Sequence, residues 1–385
     1  MKILLICENY YPHYGGAEIL FKNLAEGLSR RGHEISVVTS YLKGTEKKEQ
    51  LNNVDICRTV SFGSRYLFTF TSLLKAIKLA RKHDLIQATT FNAAFPAWIA
   101  GKITGKPVVL TVHEVWIGKW KSITGFSWIK SAAHEFLERM IYLLPFDNYV
   151  CVSQATRKDL LERRIKKEKI KVIYNGIDYS FWDPKKVKPR EREELKKRLN
   201  LQDRFIYFSW GRAGASKGFE YVIKAITLVA EKKPDIVLLL MLSLSPQYAQ
   251  KHRELLDFIS KVDAKNIIKV IPSLPYQELR TLLAAADCAV IPSVAEGFGF
   301  NAVEAAAMEK MVIASDAGSL PEIVSGKHLM FSSKNADDLA EKMLEAADGK
   351  HTKKAIKQFG WDSCIEGYLN IYNPLIKYKQ RIGGI

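Results

Sequence analysis

No stretch of this chain is apolar for long enough to cross a membrane as a helix. The longest run, 236–244, is about half of the roughly 20 residues that a span requires. The N-terminal run 3–7 is too short for a secretory signal and is interrupted by Glu8. Cysteine is scarce: Cys7, Cys57, Cys151, Cys288 and Cys364 are odd in number and scattered, with no CxxC pair and no nearby histidine set. That spacing excludes a disulfide framework and a structural zinc site, and it points to a reducing compartment. There is no RNP signature, no zinc finger and no basic helix with heptads, which argues against nucleic acid as a partner. No repeat of solenoid length is present. A soluble or peripheral protein is expected, cytoplasmic and open to contact with the inner face of the cell membrane.

What is there is enough to bury large cores: 385 residues, 47% of them hydrophobic, which is a prior for two domains. The formal charge of +17 favours anionic partners, whether nucleic acid, lipid headgroups or phosphate ligands, without choosing among them.

Short apolar runs alternate with helical periodicity from the start. Residues 2–7 read as a strand, 18–31 as a helix with Ile19, Leu20, Leu24 and Leu28 at spacings of three and four, and 34–39 as the next strand. Further buried strands are expected at 84–88, 107–112 and 148–152, and a second series at 205–209, 236–241, 267–271, 287–291 and 311–314. Strands alternating with helices predict two doubly wound, parallel α/β domains. The junction is expected near 178–195, where lysines and arginines interleave with glutamates as in a solvated linker that leads into a surface helix. Ligands are expected at the carboxyl ends of the strands and in the cleft between domains.

The most informative stretch follows the strand at 287–291: Pro292-Ser-Val-Ala-Glu296-Gly297-Phe298-Gly299-Phe300-Asn301-Ala-Val-Glu304, opening a small-residue helix. Strand, glycine loop and helix form an anion-binding layout, because glycines allow close backbone approach and the first helical amides point at the ligand. Glu296 in the loop and Glu304 in the first turn suit sugar and ribose hydroxyls. Asn301 and Glu304 equally fit a helix N-cap with its reciprocal partner.

The pair Glu296 and Glu304, with seven residues between them, resembles the double-glutamate motif of the retaining glycosyltransferase family 4. The similarity extends through Gly318-Ser-Leu-Pro-Glu-Ile-Val324 downstream, and upstream through Tyr11-Pro-His-Tyr-Gly15-Gly16-Ala-Glu18, Thr111-Val-His113-Glu114, Tyr174-Asn-Gly-Ile-Asp178 and Gly211-Arg212 followed by Lys217-Gly218. It covers nearly the whole chain and implies a GT-B fold: two Rossmann-like domains facing each other across a cleft. The implied boundaries are 1–180 for the acceptor-side domain, 181–361 for the donor-binding domain, and a closing helix, 362–385, crossing back onto the first.

The resemblance further implies a nucleotide-diphosphate sugar as donor, with no cofactor. Arg212 and Lys217 would hold the diphosphate and stabilise the charge on departure, replacing a metal. No Asp-x-Asp, the spacing that metal-dependent sugar transferases use, occurs in the chain. Glu296 would position the sugar, with Gly297, Phe298, Gly299, Phe300, Asn301 and Glu304 completing the donor site. His113 would support a cationic sugar, and Gly15 and Gly16 would approach the donor phosphate. Front-face transfer is favoured, with a glutamate-nucleophile route left open. Two departures from the family pattern stand out: 243–246 replaces a glycine-rich turn, and Phe300 replaces an aliphatic residue.

Trp116, Lys119, Trp120, Lys121 and Trp128 mix tryptophan with lysine as lipid headgroup contacts do, which fits a glycan or lipid-linked acceptor at a membrane. The stripe Ile129, Ala133, Phe136, Met140 and Leu144 reads as an ordinary core-facing helix face. The alternatives are a nucleotide-sugar epimerase of the same fold and a non-catalytic basic protein that binds surfaces or nucleic acid.

Overall fold

The computed structural model describes residues 1–243 and 248–382, so 244–246 of the departing loop and the end of the closing helix, 383–385, lie outside the described residues. The strands are β1 (Lys2–Ile6), β2 (Glu34–Ser40), β3 (Lys48–Leu51), β4 (Val54–Thr59), β5 (Leu85–Thr89), β6 (Val108–Val112), β7 (Asn148–Cys151), β8 (Ile170–Val172), β9 (Phe205–Arg212), β10 (Ile236–Ser243), β11 (Ile268–Pro272), β12 (Cys288–Ile291), β13 (Met311–Ser315), β14 (Gly326–Phe331) and β15 (Thr352–Lys354). The helices are α1 (Gly16–Arg30), α2 (Arg65–Thr71), α3 (Leu73–Ala80), α4 (Ala94–Thr104), α5 (Trp120–Thr124), α6 (Trp128–Leu143), α7 (Gln154–Leu161), α8 (Pro189–Arg198), α9 (Phe219–Ala230), α10 (Ala249–Lys261), α11 (Tyr276–Ala285), α12 (Phe300–Ala307), α13 (Leu320–Ile323), α14 (Ala336–Ala347) and α15 (Trp361–Ile382).

The chain forms two compact units, one of 1–118, 129–176 and 359–385, the other of 119–128 and 177–358. The sheet of the first runs β3-β4-β2-β1-β5-β6-β7-β8 and is parallel apart from the β3–β4 pair. From β1 the chain builds outward through β2 and β4, then returns to the other side at β5, so the order reverses between β1 and β5. β1, β5 and β6 are buried on both faces, which is why they read as continuous apolar runs rather than alternating ones. The helix α15 belongs to this unit. Ile365 packs where a Cβ on Gly27 of α1 would stand, 2.1 Å away, so a larger residue there would have to displace the Ile365 side chain. Tyr368 and Tyr372, both fully buried, bond Thr111 at 2.9 Å and Gln87 at 2.9 Å. Those bonds satisfy polar groups inside the sheet.

The second sheet runs β11-β10-β9-β12-β13-β14-β15, parallel except for the terminal β14–β15 pair. Here the order reverses between β9 and β12, so the carboxyl ends of those two strands flank the switch point where doubly wound sheets bind ligands.

Two expectations change. The basic segment between 178 and 195 is no free linker: Trp182, Val187 and Leu195 are buried within the second unit, whose boundary falls at 176/177. The stripe on α6 faces outward. Ile129, Ala133, Phe136 and Met140 are exposed, and Leu144 is half-buried, whereas Ser131, Glu138 and Tyr142 turn inward. The reason is polar: Glu138 accepts from the backbone N–H of Trp116 at 2.9 Å and Glu135 from that of Gly118 at 3.1 Å, so the carboxylates tie down the loop after β6.

Candidate functional site

β9 ends in Gly211-Arg212, and the chain turns through Ala215–Lys217 into α9. Gly218, at φ 64°, has its Cα hydrogen against the neighbouring loop: a Cβ there would lie 2.1 Å from the Pro292 carbonyl oxygen. The loop after β12 is held against this turn, with the N–H groups of Val294 and Ala295 both donating to the Ser216 carbonyl, at 2.8 and 3.3 Å. On its other side, Ser319 N–H donates to the Glu296 carbonyl at 3.0 Å and Ser315 Oγ to that of Ser293 at 2.5 Å. The conformation of 292–299 is therefore set from two sides, by the turn at 216–218 and by the stretch 315–319.

Within this frame Lys217 Nζ lies 2.7 Å from Glu296 Oε2, and Ser293 Oγ donates to the same oxygen at 3.0 Å. A small concavity beside the pair is lined by Ser209, Trp210, Lys217, Ser293 and Asn301. Arg212, at the end of β9, sits with its guanidinium carbon 5.7 Å from the Tyr248 ring centroid, in cation–π contact.

α12 starts at Phe300 with Gly299 as its N-cap at φ 91°, and no side chain caps it. Asn301 is accordingly no N-cap: its Nδ2 donates to the Trp210 carbonyl at 2.7 Å, pinning α12 to the end of β9. Gly297, Phe298 and Gly299 lead into the helix, and Phe298 packs edge-on to Phe300 with ring centroids 5.1 Å apart. Glu304 is buried on α12. Burial pushes its carboxyl up to about 8, against the opposing pull of the Lys217 charge and of the Trp210 side chain, so it holds its proton at pH 7. The two glutamates thus differ in kind, Glu296 ion-paired and Glu304 desolvated.

In the first unit, Gly15 caps α1 with an extended backbone, φ −170°, and Gly16 is its first residue. His13 Nδ1 stands 3.3 Å from Glu18. His113 follows β6, and its Nε2 is sealed from solvent with no hydrogen-bond partner among the described residues. Burial lowers this imidazole to about 4, with Glu18 opposing, which keeps it neutral at pH 7. Of the tryptophan and lysine segment, Trp120 is 6% exposed, buried in the second unit where α5 packs against Ala215–Lys217. It is therefore withdrawn from any lipid surface; Trp128 is exposed, and Trp116 bonds Glu114 through Nε1 at 2.7 Å. Among the described residues no helix is long and apolar enough to cross a membrane, and no three His, Cys, Asp or Glu side chains converge as a metal set.

Ser293, Trp210 and Ser216 were not singled out from sequence. Ser293 precedes Glu296 by three residues inside the motif, a spacing at which a hydroxyl reaches a carboxylate across a turn. Trp210 and Ser216 act through space or through a backbone carbonyl and leave no such signal.

Residues 14–181 match the model of Glycosyltransferase Family 4, and residues 191–360 that of Glycosyl transferases group 1. The chain is 26% identical over 407 aligned residues to an uncharacterized glycosyltransferase, MJ1607, of Methanocaldococcus jannaschii, covering 99% of this chain and 100% of that one. It is 21% identical to the phosphatidylinositol N-acetylglucosaminyltransferase GPI3 subunit of Saccharomyces cerevisiae, covering 97% and 83%. Among solved structures it resembles Anabaena Alr3699/HepE in complex with UDP and glucose, with TM-score 0.73, 22% identity, and coverage of 100% and 98%. With both halves matched in order and the two parallel sheets in place, the chain belongs to the GT-B glycosyltransferases, its first half of Family 4 and its second of group 1.

Proposed function

We propose that this glycosyltransferase is a retaining, metal-independent hexosyltransferase that takes its sugar from a nucleotide-diphosphate donor held by the second unit. The observation that carries the reading is the cluster at the β9/β12 switch point: Lys217, Glu296 and Ser293 in one hydrogen-bonded group, with buried Glu304 on the adjoining helix. In this reading Arg212 and Lys217 bind the diphosphate. Their charge does the work that a metal does in other transferases as the leaving group departs. The amides at the start of α12 add the positive end of a helix. Glu296 orients the sugar hydroxyls and Glu304 the ribose. The bond from the anomeric carbon to the diphosphate oxygen breaks as the acceptor oxygen attacks from the same face. The departing diphosphate takes the acceptor proton, so no separate base is required. For the first unit the proposal extends to Gly15 and Gly16 as phosphate contacts and to His113 as a neutral imidazole that supports positive charge on the sugar.

UDP in the HepE complex, and the phosphatidylinositol in the yeast relative's name, support a nucleotide donor and a glycan or lipid-linked acceptor. A thermal-shift screen of UDP, GDP and ADP sugars in EDTA tests the donor site, since a ligand that binds only the native state raises its stability. One nucleotide series should stabilise the protein, and Arg212→Ala and Glu304→Ala should abolish the shift. No shift with any series sinks the reading, and interconversion of nucleotide sugars without release of nucleoside diphosphate gives the epimerase instead.

A further inference from the structure

The two cations of the donor cluster are held in different ways. Lys217 is committed to Glu296 at 2.7 Å. The Arg212 guanidinium makes no hydrogen bond or ion pair among the described residues and rests on the Tyr248 ring, whose centroid lies 5.7 Å from its carbon. Arg280 provides the contrast. It too lies over a ring, that of Phe181 at 4.8 Å, but its Nη1 also donates to the Phe181 carbonyl at 3.2 Å.

Local structure fixes the ring rather than the arginine. Gly214 has an ordinary φ of −87°, so the backbone there does not require glycine. What glycine supplies is room, since a Cβ would stand 3.1 Å from Tyr248 Cε1 and press on the ring. Tyr248 is the N-cap residue of α10, whose Leu255 and Ile259 pack into the same core as Val222 and Ile226 of α9. Three residues on, Lys251 lies 3.7 Å from Glu220 in the first turn of α9. With α10 fastened to α9, the ring is a shelf beside the end of β9.

A carboxylate would also hold the guanidinium, but it would occupy N–H donors and offset the charge. An aromatic face attracts the cation through its quadrupole and leaves every N–H donor at the edge. Arg212 is therefore restrained yet uncommitted. That suits an oxyanion ligand, because rotamer freedom is reduced before the ligand arrives.

We propose that Tyr248 is a positioning residue for the donor diphosphate, holding Arg212 by its face so that its edge meets the phosphoryl oxygens. This rests on the donor reading above, in which Arg212 binds the diphosphate, and adds the residue that orients it. The ring does the holding, and the Tyr248 hydroxyl has no part in it.

Calorimetric titration with UDP, GDP and ADP tests the effect on binding, and the Arg212 Nε–Hε resonance, identified by its loss in Arg212→Lys, tests the cause. Tyr248→Leu keeps an apolar group against the core on which the ring packs. With a wild-type unfolding midpoint, it should weaken the nucleotide that wild type binds by roughly three- to tenfold. Its Arg212 resonance should lose the ring-current shift before any nucleotide is added. Tyr248→Phe should match wild type in both measurements. If Tyr248→Leu misfolds, Tyr248→Met takes its place. Wild-type affinity in the folded variant overturns the proposal. So does weakened binding with the free-state Arg212 resonance unmoved, which would assign the ring to the nucleotide base, and so does an equal loss in Tyr248→Phe, which would assign the contact to the hydroxyl. If wild type binds none of the three nucleotides, the donor site itself fails and this role falls with it, an outcome distinct from a defect confined to the variants.

Discussion

Lys217 and Glu296, 79 residues apart in sequence, meet at 2.7 Å with both side chains mostly withdrawn from water. Such a pair is worth more than a surface salt bridge only if each partner keeps a second task, because desolvating two charges offsets most of their attraction. Ser293 supplies one further bond to Glu296. The remaining capacity of both groups is what a diphosphate and a sugar would use.

If the two residues act as a unit on the donor, their effects are not additive. Lys217→Ala and Glu296→Gln should each lower kcat/KM by on the order of a hundredfold or more, and the double variant should cost much less than the product. Multiplicative losses in a double-mutant cycle would show instead that the pair contributes to the donor site independently.

Glu304 titrates in the opposite sense to an ion-paired glutamate. Its folded carboxyl is raised to about 8, above the ordinary value near 4.5, so between those pH values the folded state holds a proton that the unfolded chain releases. Stability contributed by this group is complete below about 4.5 and is lost as pH rises to 8, on the order of a few kcal/mol. Glu304→Gln should remove that loss and raise Tm relative to wild type at pH 8 but not at pH 4.5. Tm curves that run parallel across the range would show that Glu304 is ionised in the folded protein.

The central strands of both sheets were legible because they are largely buried and read as apolar runs. β3, β8 and β15 gave no such signal, being short or at an edge, and β4 and β14 were missed because exposed residues interrupt their apolar pattern. Glu296, Lys217 and the glycine loop were legible as a motif, since backbone approach and charge need fixed residue types. Asn301 was ambiguous: the same residue serves as a cap or a strut, and only the distance to the Trp210 carbonyl distinguishes them. The α6 stripe was misread because periodicity reports which residues share a face, not which way the face turns. What turned it was Glu138, whose partner lies 22 residues back in the loop after β6.

Gly218 offers a test of how the loop is fixed. At φ 64° an alanine is strained, and its Cβ must also displace the Pro292 carbonyl that opens the Glu296 loop. Gly349 is the control, with φ 77° and no atom within 4 Å of a built Cβ. Gly349→Ala should cost about 1 kcal/mol and leave donor binding intact. Gly218→Ala should cost more, roughly 2–4 kcal/mol, and weaken donor binding in the thermal-shift assay. Equal costs with donor binding intact in both would mean that the loop yields without moving Glu296.

His113 is lowered to about 4 by burial, below the ordinary 6.5, so as pH falls through that window the unfolded chain takes up a proton that the folded one refuses. Stability from this group is fully present above about 6.5 and is lost as pH falls through 4. His33 and His83 are lowered by burial as well, so the wild-type slope is shared and the informative quantity is the difference on substitution. His113→Asn should make the decline of Tm between pH 6.5 and 4 shallower by the contribution of one proton. The same neutrality bears on the proposed chemistry, because an imidazolium beside a sugar that is becoming cationic would oppose the reaction, whereas a neutral ring donates or accepts without that repulsion. The kcat/KM profile should therefore carry no His113 limb near pH 6.5. An acidic limb at 6.5 in the wild type that disappears in His113→Asn would mean that the ring titrates normally and acts through its charge.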